Sequence, residues 1–472
     1  MRVSKLFDLD RKQSALDFVD VDVDTDSPVF IDPRAIRIQK SSLAAECEML
    51  LVSFFGEVLE SVRAGDDRRT MNLLDELGEP NETHFGLSRR KSRGRGLGRA
   101  GAGLLSQSFA RSTAAKTGLL ADLEDAVLFI KGIGADIISD VTTHIIRSVL
   151  ITYTRQWCEL YGIPLEEQHS GPIWDADELN WTEQHEPLPR ARGDKLLLVP
   201  KSIVRVKTIF DGGRYFSGYL APHLETLEKN AGSELVSILK NGQQRVDRRR
   251  LREKYGDNKE ALALHTQRFP EALLEYKDSI TLESYPPSRR LAGMDRPDFG
   301  ALLANVKAVK PGTVGATAFH RAAAELLTAL FYPHLTNMRP EEKIHAGRKR
   351  IDIVFDNLAN VGTFRFLQNY KAPTVVVECK NYAGDPKNPE LDQISGRFSP
   401  HRTHVGILIC RGFANKKLFV QRCRDTALDH RGYVIPVDDE DLERLVADRK
   451  TGHAMHDGNF PLLRERFNQL VN

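Results

Sequence analysis

The chain has 472 residues, of which 41% are hydrophobic and 28% charged, and its formal net charge is +2. These values are typical of a globular protein of two or three domains. The sequence has no apolar run of 18 residues or more, so we expect no membrane-spanning helix and no membrane partner. The five cysteines are scattered and show no CxxC pairing, which disfavours a zinc site or a disulfide framework. We therefore expect a reducing compartment, the cytoplasm.

Residues 1–285 are expected to form a mainly helical α+β region, either as one unit or as two subdomains. The apolar and acidic residues that alternate over residues 18–26 predict an edge strand with an acidic, solvated face. A calcium loop of the DxDxDG type is excluded, because Thr25 stands where glycine is required and Ile31 where the bidentate glutamate is required.

Periodic apolar residues predict further helices and strands in this region. We expect helices over residues 36–59, 119–161 and 231–277, and a strand pair or strand–turn over residues 196–206. The second helical stretch is interrupted at Gly132-Ile133-Gly134, which predicts either a helix–helix turn or a turn that presents backbone amides to a phosphate.

Two segments of the N-terminal region are strongly basic. Residues 88–99 mix arginine with glycine and serine, which predicts a loop that either contacts a phosphate backbone or is a solvated linker. Residues 245–254 carry six basic side chains, and Arg248 and Arg252 would share one helix face. This second cluster is either a solvated helix face or a surface that binds nucleic acid, and it is better placed for that role than residues 88–99.

Proline and glycine near residues 284–293 mark a domain boundary, so residues 286–311 are expected to be a linker and residues 312–472 a separate α/β domain. The domain is predicted to have the element order αβββαβαβα, a mixed sheet flanked by helices. Its expected elements are a helix over 317–331, strands near 343–345, 350–355 and 374–379, a helix from 389, a strand over 405–410, a helix over 416–428, a strand over 433–436 and a helix from 439.

Two of these predicted strands carry charged residues that suit metal-dependent chemistry. Asp352 lies in the second strand, and Glu378 and Lys380 end the third. Residues two apart on a strand point to the same face, so Glu378 and Lys380 should project together, with Asp352 beside them on a neighbouring strand. Two carboxylates and an ammonium in one place can hold a divalent cation and position water for attack on a phosphodiester. An ordinary ion-pair network is the alternative.

This arrangement resembles the PD-(D/E)xK nuclease superfamily, and most closely its Mrr-type restriction-endonuclease branch. The resemblance rests on the strand that carries Asp352, the strand that carries Glu378 and Lys380, and the helix that carries Gln393. It covers residues 312–448, roughly a third of the chain. It implies a restriction-endonuclease-like mixed sheet flanked by helices.

The resemblance also implies roles for individual residues. Asp352, Glu378 and the backbone carbonyl of Cys379 would bind Mg²⁺, with Mn²⁺ as a substitute. Lys380 would orient the attacking water or stabilise developing charge, and Gln393 would contact water or phosphate.

A further acidic ligand is expected from the first helix, with Glu325 as the candidate and Glu341 as the alternative. His320 follows Phe319 at a place where related sequences often have Phe-Glu. Contacts to nucleic acid are expected from the basic residues ahead of Asp352 and from the residue after Lys380. These residues are Arg348, Lys349, Arg350 and Asn381.

The function implied is that of a Mg²⁺-dependent endonuclease that hydrolyses DNA in bacterial defence against phage or foreign DNA. Double-strand cleavage would call for a homodimer or a higher oligomer, and the N-terminal region would recognise substrate or a regulatory protein partner. One alternative is a catalytically weak module that binds DNA or a partner on a nuclease fold. Another is an RNA nuclease triggered by infection.

Overall fold

A computed structural model describes residues 1–9, 11–78, 80–86, 108–109, 112–208, 210–281, 297–344, 348–382, 386–450 and 458–472. The basic segment 88–99 and the expected boundary at 284–293 lie outside the described residues. Within them, the fold is mixed α/β, with a mainly helical N-terminal region and a five-stranded mixed sheet in the C-terminal region. None of the described helices is both long and apolar enough to cross a lipid bilayer.

The N-terminal region is built from helices that bury their apolar faces against one another. The helix Ser42–Ala64 begins with the Ser41 side chain accepting a hydrogen bond from the Ala44 amide and ends at Gly65, which has a positive φ of 70°. The described helices here are Val3–Leu6, Pro33–Arg37, Ser42–Ala64, Asp67–Asp75, Thr113–Lys116, Asp125–Phe129, Ala135–Ile145, Arg147–Tyr161, Gly212–Tyr215, Ala221–Asn230, Arg248–Tyr255, Lys259–Arg268 and Pro270–Asp278.

Short two-stranded ribbons connect these helices. All of them are antiparallel, and they pair Phe30–Ile31 with Val204–Arg205, Glu166–His169 with His185–Leu188, Ile173–Asp175 with Asn180–Thr182, Arg190–Ala191 with Asp194–Lys195, and Val236–Ile238 with Gln244–Val246. Single turns of 3-10 helix occur at Gln13–Ala15, Asn81–Thr83 and Lys201–Ile203.

Four predictions for this region need correction. The stretch expected to be helical over residues 231–277 contains the antiparallel ribbon of Val236–Ile238 with Gln244–Val246. Of the strand pair expected over residues 196–206, only Val204–Arg205 is a strand, and its partner is Phe30–Ile31. Residues 18–26 do not form an edge strand, because Val19, Val21 and Val23 are buried in an irregular segment. Asp20 is buried as well, and its carboxylate accepts hydrogen bonds from the Ser4 amide and hydroxyl. The predicted helix over residues 36–59 is two helices, because the chain leaves the helical conformation after Arg37 and restarts at Ser42.

The C-terminal region contains the elements named from here on. They are α1 Phe299–Ala308, α2 Ala316–Phe331, β1 Leu335–Ile344, β2 Lys349–Asn357, α3 Gly362–Leu367, β3 Thr374–Lys380, α4 Asn388–Ser395, β4 Val405–Cys410, α5 Lys416–Leu428, β5 Tyr433–Val437, α6 Asp439–Lys450 and α7 Pro461–Val471. A single 3-10 turn, Gln368–Tyr370, follows α3.

The sheet has the order β1-β2-β3-β4-β5, with the first two pairings antiparallel and the last two parallel. Strands β3 and β4 lie in its centre and are almost wholly buried, which explains their continuous apolar sequences. Within the expected linker, α1 packs on α2 and α6 and buries Phe299, Leu302 and Val306.

The first strand is longer than predicted. It begins at Leu335 rather than near residue 343, and its pairing with β2 is irregular between Thr336 and Arg339. Pro340 lies within it, paired with Ile353, and proline is tolerated there because β1 is at the edge of the sheet. The N-terminal turn Lys201–Ile203 packs against β1, so part of this edge is covered.

Candidate functional site

The two predicted acidic residues lie side by side on adjacent antiparallel strands. The pairing of β2 with β3 places Ile353 opposite Val377, and Asp352 and Glu378 are the next residues along each strand. The Cys379 amide donates a hydrogen bond of 2.8 Å to Asp352 Oδ2. The Glu378 side chain is fully buried, whereas the Asp352 side chain is 16% exposed. The site therefore opens to solvent on the Asp352 side.

Glu378 is held by two hydrogen-bond donors and one further ion-pair partner. Arg397 Nε donates to Oε1 at 3.3 Å, Gln393 Nε2 donates to Oε2 at 3.2 Å, and Lys380 Nζ lies 3.7 Å from Oε2. Lys380 and Glu378 thus project to the same face, as their spacing on the strand predicts. Lys380 Nζ also donates to Gln393 Oε1 at 2.9 Å, which closes a ring of polar contacts.

Burial and a neighbouring carboxylate oppose two nearby cations in setting the pKa of Glu378. Burial, and then the neighbouring negative charge of Asp352, raise the pKa of the Glu378 carboxyl to about 7, although Lys380 and Arg397 oppose the shift. Two carboxylates in one buried place repel each other, so this site favours a cation or a proton.

The close packing of α4 on the sheet brings Gln393 and Arg397 to the site. Gly406 of β4 lies beneath this helix, and a Cβ atom at Gly406 would be only 2.9 Å from Ile394 Cδ1 and from Val376 Cγ2. The absence of a side chain at Gly406 therefore allows Ile394 to approach the strand, and the neighbouring Gln393 reaches Glu378. Arg397 follows two residues after the helix ends.

His320 of α2 is a member of the site that spacing arguments did not select. Its Nε2 atom lies 3.5 Å from Asp352 Oδ2 and 3.3 Å from the Cys379 carbonyl oxygen, and its Nδ1 atom lies 4.0 Å from Glu341 Oε1. The residues that His320 contacts lie on three strands of the sheet, far from His320 along the chain, so no local sequence motif identifies it as a site residue. The available signal was its position, where the nuclease superfamily that the sequence resembles often has an acidic residue.

Glu325 has contacts of a different kind from those that the resemblance implied. It is buried, and Arg11 Nε donates to Glu325 Oε2 at 2.6 Å. Burial raises the pKa of the Glu325 carboxyl, and the charges of Arg11 and Arg321 oppose this shift. In the structure His320, rather than Glu325, is the residue of α2 that lies next to Asp352.

The residues expected at a nucleic-acid surface fall into two groups. Arg348, Lys349 and Arg350 are exposed at the start of β2, and Arg350 forms an ion pair with Glu341. Asn381 is buried, and its Nδ2 atom donates to the carbonyl oxygens of Lys310 and Gly312, each at 3.0 Å. Asn381 therefore fixes the loop that precedes α2.

The basic cluster at residues 245–254 is largely neutralised by acidic neighbours. Arg248 pairs with Glu225 at 2.7 Å and Lys254 with Glu228 at 2.6 Å. The other ion pairs of this cluster are Arg249 with Glu253, Arg250 with Glu234, and Arg252 with Asp257. This pairing favours the interpretation of the cluster as a solvated face.

The donor set can be compared with what a divalent cation requires. Across the described ranges, no group of three or more histidine, cysteine, aspartate or glutamate side chains is suited to hold a metal ion. Asp352, Glu378 and the Cys379 carbonyl supply only oxygen atoms, which is the chemistry that Mg²⁺ prefers, so the residues fit this ion in kind. Gln393 and Arg397 each donate one hydrogen bond to a different Glu378 oxygen, which leaves a lone pair on each oxygen for an ion.

Comparisons with known proteins give information on the N-terminal region alone. Residues 8–211 are similar to a family described as a domain of unknown function, DUF8370. No curated protein and no solved structure matches the chain. The matched residues end well before Asp352 and Glu378.

Proposed function

We propose that the chain is a metal-dependent endonuclease that hydrolyses phosphodiester bonds of DNA. The observation that carries the proposal is the position of Asp352 and Glu378 on adjacent strands, with Lys380 Nζ 3.7 Å from Glu378 Oε2. The resemblance to the Mrr-type branch adds the substrate, DNA, and a role in cytoplasmic defence against phage or foreign DNA. It also adds an assembly of two or more copies and a regulatory protein partner for the N-terminal region.

In this proposal each residue acts through the contacts described above. Asp352, Glu378 and the Cys379 carbonyl would hold Mg²⁺, and His320 would reach the same place from α2. The bound ion supplies a Lewis acid for the phosphate and lowers the pKa of a water molecule.

Lys380 and Gln393 would act on the nucleophile and the phosphate. Lys380 Nζ, held by Gln393 at 2.9 Å, orients the attacking water and stabilises the charge that develops on the phosphate. Arg348 and Lys349, exposed at the start of β2, would contact the phosphate backbone on either side.

Nicking of supercoiled plasmid tests the proposal. The full chain should nick DNA with Mg²⁺ or Mn²⁺, and EDTA should stop the reaction. Asp352→Ala and Lys380→Ala should each lower the rate by about a thousandfold or more, because each removes a group that acts in the transition state. Asp425→Asn and Lys417→Ala change exposed residues of α5 and should leave the rate unchanged.

A second candidate function is a module that binds DNA or a partner and cleaves weakly or not at all. It is favoured by one observation: both Glu378 oxygens already accept hydrogen bonds from Gln393 and Arg397. Binding of duplex DNA without nicking under several metals would support it and overturn the nuclease proposal. Parallel reactions with single-stranded DNA and structured RNA would identify an RNA nuclease.

A further inference from the structure

A large cleft lies between the N-terminal segment and helix α1, away from Asp352 and Glu378. Its volume is about 720 Å³, which falls within the range of small-molecule sites in proteins. Residues from both the N-terminal and the C-terminal regions line it, so an occupant would contact the two together.

The N-terminal wall of the cleft is rich in positive charge. Lys5, Arg11 and Lys12 line this wall, together with Ser14 and one carboxylate, Asp8. Lys5 and Lys12 are exposed, and neither forms an ion pair with another described residue. Two ammonium groups beside a guanidinium and a serine hydroxyl suit a phosphate group.

The opposite wall supplies different chemistry. Ala301 and Leu302 of α1 present apolar surface, and the Asn305 side chain offers an amide to hydrogen-bonding groups. The Asp298 carboxylate, which also borders the cleft, is engaged in capping α1 through the Ala301 amide at 3.0 Å. This wall would suit a flat, partly apolar group that carries hydroxyl or amino donors.

We propose that this cleft binds a nucleoside phosphate. The phosphate contacts Lys5, Lys12 and Arg11, a donor of the ribose or base contacts Asn305, and the base lies against α1. A bare anion would use one wall only, and an uncharged nucleoside would use the other. The proposal does not depend on nuclease activity, because it concerns a separate part of the surface.

Isothermal titration calorimetry of the full chain with ATP, AMP, adenosine and inorganic phosphate, all in EDTA, tests this site. Either nucleotide should bind at least about tenfold more tightly than adenosine or phosphate, since only a nucleotide engages both walls. Lys5→Gln combined with Lys12→Gln should weaken nucleotide binding by about tenfold or more. Lys240→Gln, at an exposed lysine elsewhere, should have no effect.

Two tryptophan substitutions on α1 provide a steric test. Ala301→Trp should fill the cleft and abolish binding, whereas Ala304→Trp, at an exposed position outside the lining, should leave it intact. Binding that survives Ala301→Trp, phosphate that binds as tightly as AMP, or no nucleotide binding at all would each overturn the proposal. Asp352→Ala should retain nucleotide binding; loss of binding there would assign the nucleotide to the candidate nuclease site and overturn this one.

Discussion

Arg11 and Glu325 form an ion pair between the N-terminal segment and helix α2, with 2.6 Å between Arg11 Nε and Glu325 Oε2. The Glu325 side chain is only 1% exposed and the Arg11 side chain 21% exposed. A resemblance to nucleases gives Glu325 a metal-binding role, but in the fold this carboxylate connects the two regions. His320, five residues earlier on the same helix, lies beside Asp352.

This pair predicts an asymmetric effect on stability. Arg11→Met should lower the free energy of unfolding by about 3 kcal/mol, because Glu325 would remain buried without its partner. The double variant Arg11→Met with Glu325→Met should recover most of this loss, since it leaves no buried charge. Urea unfolding at neutral pH measures both.

The control for this prediction is Arg249→Met, which breaks the exposed pair of Arg249 with Glu253. It should change the free energy of unfolding by less than about 0.5 kcal/mol, because exposed ion pairs contribute little. Equal effects of Arg11→Met and Arg249→Met would contradict the importance of burial at Arg11.

His144 predicts a dependence of stability on pH. Burial, with the nearby charge of Arg147, lowers the pKa of His144 to about 4, and the neutral ring accepts a hydrogen bond from Arg147 and donates one to the Gly78 carbonyl. The unfolded chain therefore binds a proton at His144 over a pH range in which the folded chain does not. Stability from this group is complete above pH about 6.5 and is lost as the pH falls towards 4.

The change between pH 7 and pH 4 attributable to His144 should be about 3 kcal/mol in the free energy of unfolding. His144→Gln can make both hydrogen bonds without titrating, so its stability should fall less than that of the parent over this range. His185→Gln, at an exposed histidine, is the control and should follow the parent. Parallel pH profiles for the parent and His144→Gln would refute the assignment.

If the chain is a nuclease, we expect substitution of His320 to change the Mg²⁺ concentration that the reaction requires. His320→Ala should raise the Mg²⁺ concentration for half-maximal nicking by about 10- to 100-fold, as expected for a residue that contacts both Asp352 and the Cys379 carbonyl. His320→Glu introduces the acidic residue that is often found here in the nuclease superfamily that the sequence resembles, and it should retain a low requirement for Mg²⁺. A requirement that is unchanged in His320→Ala would exclude His320 from metal binding.

We expect substitution of Arg397 to lower the nicking rate less than substitution of Lys380. Arg397 contacts Glu378 Oε1 at 3.3 Å and acts by positioning that carboxylate. Arg397→Gln should lower the nicking rate by about 10- to 100-fold, because Glu378 loses an orienting donor. The optimum pH for nicking should also move, since Arg397 opposes the raised pKa of Glu378. Arg444→Gln, at an exposed arginine of α6, should change neither quantity.

Local pattern was enough to locate much of the C-terminal sheet. Val375, Val376 and Val377 form a continuous apolar run that predicts a buried central strand, and the structure buries all three. The two-residue spacing of Glu378 and Lys380 placed them on one face, because side chains of a strand alternate. Strand β1 was predicted too short because Asn337 and Pro340 interrupt its pattern, and they are accommodated through an irregular pairing at the sheet edge.

The remaining members of the site depended on tertiary contacts. Arg397 reaches Glu378 only because Gly406 lets α4 lie close to the sheet, and His320 reaches Asp352 only because α2 packs against β1 and β3, the two neighbours of β2. Neither contact can be read from a periodic pattern in the sequence, since the two partners are far apart along the chain. The sequence by itself determined that Glu378 and Lys380 share one face of a strand, through local alternation. The three-dimensional packing decided which histidine and which arginine lie beside Asp352 and Glu378, because those contacts join separate elements.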